Sequence, residues 1–110
     1  MSNRMKKFLP LLNRISKLRN KEKSQYAKRC NKEFIDCISE CAKNILHGNV
    51  QLSSKQKTAL RRNRQNLRRL SIKNTSLKKK RQIIQKGGFL GAIIAPILAT
   101  LRGSLVSSLF

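Results

Sequence analysis

From Gly87 to Leu101 the chain carries no charge, although the run Lys78-Lys79-Lys80-Arg81 lies just before that stretch. The apolar part, Phe89-Leu90-Gly91-Ala92-Ile93-Ile94-Ala95-Pro96-Ile97-Leu98-Ala99-Thr100-Leu101, needs oil-like surroundings or a partner helix. The basic part needs water or a polyanion. Any fold open to this chain must hold the two materials apart across the Gly87-Gly88 pair.

With 110 residues there is room for one small domain and a tail. The 26 Lys and Arg residues face only 4 Asp and Glu, a formal net charge of +22. All the acids (Glu22, Glu33, Asp36 and Glu40) fall in one short stretch, and none lies between Val50 and Gly88. Such a basic block repels itself and stays compact only when an anion neutralises it. Aromatic residues make up 5% of the chain and Trp is absent, so the expected core is thin, aliphatic and marginally stable. Cys30, Cys37 and Cys41 are an odd, clustered set, a poor disulfide framework that points to a reducing compartment at synthesis. The apolar run after Lys6-Lys7 stops at Leu12, too short for a secretory signal.

Hydrophobic periodicity predicts an all-α fold. Leu9, Leu12, Ile15 and Leu18 recur at helical spacing, with Pro10 suited to a first turn. They suggest a short amphipathic helix within a partly disordered basic arm over residues 1–23. The strongest helix spans 24–47: Ser24 can cap it, Tyr26, Cys30, Phe34, Cys37, Ile38, Cys41, Ile45 and Leu46 share a face, and Gly48 stops it. A second helix is expected from Ser53 or Ser54 to about Leu70, on a sparse stripe of Leu60, Leu67 and Leu70. Asn74-Thr75-Ser76 reads as a turn and cap before a short helix from Leu77 to Gln85. The expected organisation is a basic arm (1–23), a helical basic domain (24–86), and a Gly-Gly hinge with a hydrophobic helical tail (87–110).

Little in the sequence can perform catalysis. There is no His-acid pairing and no Gly-rich phosphate loop, and Asp36 and Glu40 read as the solvated side of their helix beside Lys32 and Lys43. An enzyme is not expected, and neither is a cofactor. The cysteines lie on one apolar helix face and are expected to pack as small hydrophobes. With His47 the only histidine, no metal site is expected either.

Affinity is expected in the basic block. Arg61, Arg62, Arg64, Arg68 and Arg69 place guanidinium groups around most of a helix, flanked by Lys55, Lys57, Lys73, Lys78, Lys79, Lys80 and Arg81. That arrangement suits neutralising phosphates from several directions better than reading one groove. Engaging ~10 phosphates would give log affinity a slope of roughly −9 against log salt. The expected partner is double-stranded DNA, with RNA open, bound without sequence preference.

If helical, the tail has two faces. One is apolar, with Leu90, Ile94, Leu98, Leu101 and Leu105; the other repeats Gly91, Ala95, Ala99 and Gly103. Small residues at this spacing let two helix backbones approach closely. The uninterrupted apolar run from Phe89 falls short of the ~20 residues of a membrane span. Insertion into an anionic membrane, self-association through Phe89 and the residues after it, and folding back onto the helices all remain open.

The Lys/Arg-rich stretch ending in Arg81, the Gly87-Gly88 pair and the proline-containing apolar tail from Phe89 to Leu98 together resemble the adenovirus core protein X family. That family comprises the precursors of the basic mu peptide and related proteins of Maverick/Polinton and adintovirus elements. The similarity covers Lys55 onward. It implies a DNA-condensing protein of a virion core, found in the host nucleus, with capsid proteins as partners. It also implies a viral maturation protease cutting between Gly88 and Phe89; Gln85 stands where that protease prefers an aliphatic residue.

Overall fold

Apolar side chains recur every third or fourth residue, and the computed structural model is accordingly all-α. It describes residues 3–86 and 88–109, with side chains described through residue 100. Among these residues there are seven helices: α1 (Asn3–Ser16), α2 (Asn20–Arg29), α3 (Lys32–Leu46), α4 (Ser54–Arg62), α5 (Arg64–Ser71), α6 (Leu77–Ile84) and α7 (Phe89–Leu109).

The arm expected over 1–23 as partly disordered is instead ordered from residue 3, as α1 and the start of α2. Helix α1 begins at Asn3 and buries Met5, Leu12 and Ile15, with Phe8 and Leu9 partly buried beside them. The Phe8 ring meets Phe34 edge-on, centroids 6.3 Å apart. Each aliphatic side chain buried this way stabilises by roughly 1.5–3 kcal/mol, enough to hold a helix whose charges alone would fray it. The early start places Pro10 in mid-helix rather than in the first turn, on the solvent side.

The helix expected over 24–47 is broken at Cys30-Asn31. Both residues are extended, and the Asn31 side chain accepts a 2.9 Å hydrogen bond from the Phe34 amide, capping α3. In one straight helix Tyr26 and Phe34 would stand about 12 Å apart along the axis. The break instead folds α2 back, so that the two rings meet edge-on at 5.1 Å. A second break, at Asn63, divides the helix expected from Ser53 or Ser54 to about Leu70 into α4 and α5; the Asn63 side-chain Nδ2 donates to the Ala59 carbonyl at 3.1 Å.

Helices α3 and α7 form the centre. The first buries Phe34, Ile35, Cys37, Ile38, Cys41, Ala42 and Ile45. It is covered by α1, α5, α6 and α7. The second buries Phe89, Leu90, Ile93, Ile94, Ile97 and Leu98 among α1, α2, α3, α4 and α6. Through residue 98 the tail is therefore core rather than an appendage. Gly48 (φ +76°) ends the α3 segment, as its position in the sequence suggests, and Gly88 (φ +78°) turns the chain into α7, which lies at 87° to α6. The radius of gyration, 13.1 Å, is that of a compact chain of this length.

Candidate nucleic-acid interface

Helices α4, α5 and α6 have few apolar residues to commit: Leu60 on α4, Leu67 and Leu70 on α5, Ile83 and Ile84 on α6. Those point inward, and most of the lysines and arginines between them point out. Lys55, Lys57, Arg61, Arg62, Arg64, Arg68, Arg69, Lys73, Lys78 and Lys79 are all exposed. The helix starts are built by side chains that leave these cations free. Ser53 and Gln56 exchange hydrogen bonds of 2.9 and 3.1 Å across a capping box, and the Ser76 hydroxyl accepts from the Lys79 amide at 3.1 Å.

No carboxylate side chain follows Glu40, so this surface is uncompensated by sequence neighbours. The ion pairs seen among the described residues lie elsewhere: Lys7 with Glu33 at 4.0 Å, exposed on both sides, and Lys32 with Asp36 at 3.0 Å, where the lysine is exposed and the aspartate partly covered. Pairs on or near the surface contribute little, and two of them leave the excess charge in place.

Two of the expected phosphate-binding residues are not on this surface. Arg81 is half-buried and its Nη2 donates a 2.8 Å hydrogen bond to the carbonyl of Cys30, the residue that ends α2. A guanidinium there satisfies an orphan carbonyl and complements the negative helix end. Lys80 is only 7% exposed. Burial lowers its pKa, with Lys43 and Lys32 adding to the effect and Asp36 opposing it. Its position was readable: Lys80 stands three residues after Leu77 and four before Ile84, on the inward stripe of α6.

The expected membrane and self-association residues divide. Phe89, Leu90, Ile94 and Leu98 are in the core, Gly91 lies against the Lys23 side chain, and Ala95 and Ala99 are exposed. Leu101, Gly103 and Leu105 lie outside the described side chains, and Gly87 of the Gly-Gly pair lies outside the described residues. Among the described residues no single helix is long and apolar enough to cross a membrane; α6 and the first part of α7 reach that length only together, across their 87° bend.

All the cysteines are free and buried. The Cys37 thiol one turn away, together with burial, pushes the Cys41 thiol well up. Burial raises Cys30 as well, partly offset by the hydrogen bond from Arg81. Among the described residues no group of three His, Cys, Asp or Glu side chains could hold a metal ion. Compared with known family models, curated proteins and solved structures, the chain matches none.

Proposed function

We infer that this protein binds and condenses nucleic acid, duplex DNA first, through the outer surface of α4–α6, without reading its sequence. The observation that carries this reading is the exposure of Lys55, Lys57, Arg61, Arg62, Arg64, Arg68 and Arg69 on helices whose few apolar residues serve the core. Their charge is left for an external polyanion. Neutralising phosphates releases counterions, so affinity comes from charge and falls with salt. Aromatic side chains are scarce and Phe34 and Phe89 are internal, which argues against base stacking as a source of affinity.

Because the cations radiate from short, broken helices, one duplex meets only part of them at a time. The remainder can engage a second duplex, and this bridging is what condensation requires. The long dimension of the fold, 42 Å, corresponds to about a dozen base pairs at 3.4 Å per step. A virion-core role of the adenovirus core protein X kind agrees with this chemistry. The apolar tail then serves as the core that holds the basic helices in place.

The test is a salt titration of the full-length chain on two unrelated duplexes. With about five phosphates engaged per duplex, the slope of log affinity against log salt is roughly −4.5 on both. A strong preference for one duplex, or binding indifferent to salt, would overturn the reading.

A further inference from the structure

The geometry points to a discrete phosphate site in the groove between α3 and the turn joining α5 to α6, with Lys80 as its floor. The groove encloses 580 Å³, a size that suits a small ligand. Its cations are Arg4 from α1, Lys32 and Lys43 from α3, Lys73 from the turn and Lys80 from α6; Asp36 and Glu40 are its acids. Five positive groups against two negative ones leave a surplus of three. That is the charge of a multiply ionised oxyanion.

Lys80 is what separates this groove from the rest of the basic surface. The residue as a whole is only 7% exposed, its stem packed inside, while its ammonium opens onto the groove and among the described residues has neither a hydrogen bond nor an ion pair. An ammonium held on so buried a stem is partly desolvated, and an anion brought into the groove would offset that cost. The nearest compensation is already shared, since Asp36 holds Lys32 at 3.0 Å. Leu77, Ile83 and Ile84 fix the register of α6, so Lys80 cannot turn outward without withdrawing them from the core.

The two serine hydroxyl protons are committed, Ser39 donating to the Ile35 carbonyl at 2.9 Å and Ser71 to the Arg68 carbonyl at 2.7 Å, which leaves the Thr75 hydroxyl. Donors into the groove are Lys32, Lys43, Lys73 and Lys80, with the Arg4 guanidinium and the Thr75 hydroxyl beside them. Lysine acts as a point charge, suited to the several equivalent oxygens of a phosphate more than to the planar fork of a carboxylate. The phosphate has two possible sources, a free phosphorylated small molecule or the backbone of bound nucleic acid.

Isothermal titration of inorganic triphosphate into the full-length chain, at fixed ionic strength, tests the site. One triphosphate per chain is expected, with affinity reduced tenfold or more in Lys80→Met and also reduced in the rim variant Lys43→Gln. Arg68→Ala/Arg69→Ala on the outer face is expected to bind triphosphate as the wild type does. Unchanged binding in Lys80→Met and Lys43→Gln, or many weak equivalents per chain, would overturn the proposal. Adding duplex DNA then separates the sources. Displacement of triphosphate identifies the groove as a grip on backbone phosphates, and simultaneous occupancy identifies a free ligand. The site stands or falls apart from the condensation reading, because a chain that ignores duplex DNA can still take up triphosphate, and the reverse.

Discussion

The guanidinium of Arg81 holds the carbonyl of Cys30 at 2.8 Å, tying the end of α2 to α6 across fifty-one residues of sequence. Ser24 and the Gln85 carbonyl make a second tie between the same two segments, at 2.7 Å. An arginine at the end of a basic run is thus part of the scaffold. Arg81→Ala is expected to cost about 1.5–3 kcal/mol in urea denaturation, the range for a hydrogen bond from a charged donor. DNA affinity of the folded variant should stay close to that of the wild type. Arg68→Ala/Arg69→Ala should show the opposite pattern, weaker binding at unchanged stability. Equal loss of binding in both variants would place Arg81 on the interface after all.

The thiols give a second prediction. Cys41 is raised from the ordinary 9.0 by its Cys37 neighbour and by burial, and Cys30 by burial. A raised acid pKa means that the folded state holds its proton longer than the unfolded state does. The associated stability is complete below pH 9.0 and is lost as pH climbs above it. Native protein at pH 8 should resist alkylation at Cys30 and Cys41 for this reason and at Cys37 because it is buried, and all should react once urea is added. Rapid native labelling of Cys37 or Cys41 would mean that α3 is not packed as described.

Much of the fold was legible because α3, α5 and α6 obey the spacing that their sequences display, with stops at Gly48 and starts at Ser53 and Ser76. The break at Asn31 was hidden, since Tyr26 to Leu46 keeps helical spacing throughout. A single side-chain hydrogen bond to Phe34 decides that the chain turns there. The arm was misjudged for a related reason: its stripe starts at Met5, and its partners Phe34 and α7 are distant in sequence. The destination of the tail could not be read at all, because hydrophobic burial is non-directional and lipid or core would accept the same residues. Ten of the twelve expected phosphate contacts are exposed, and the two that are not, Lys80 and Arg81, adjoin the inward stripe of α6.

Burial of the tail bears on the Gly88-Phe89 bond. Phe89 is 2% exposed and opens α7, and Gly88 occupies a tight left-handed turn. A protease needs several residues in extended form on either side of the bond it cuts, and here one side is helix locked into the core. Cleavage in the folded chain is expected to be slow and to rise steeply near the unfolding transition. A chain ending at Gly88 should lose most of its helical circular dichroism, because Ile93, Ile94 and Ile97, each at most 1% exposed, leave the core with α7. A folded 1–88 fragment with native stability would refute this account of the tail.

Lys80 supplies the last prediction, through the sign of its charge. Its pKa is lowered by burial, chiefly, with Lys43 and Lys32 acting in the same sense against Asp36; Arg4 and Lys73 face the same groove. A lowered lysine pKa means that the folded state gives up the proton first. Lys80 therefore costs stability at neutral pH, and the cost fades as pH rises through the lowered value toward 10.5. Replacing it by methionine, apolar and similar in length, should stabilise the phosphate-free chain by about 1 kcal/mol at pH 7, as exchange of desolvated charge for apolar packing often does. Urea midpoints of wild type and Lys80→Met measured from pH 7 to 10 should converge as pH rises. Saturating triphosphate should erase the difference at pH 7, since the anion supplies the partner that the fold lacks. A variant less stable than the wild type at pH 7, with or without triphosphate, would mean that Lys80 is a structural residue paired within the fold.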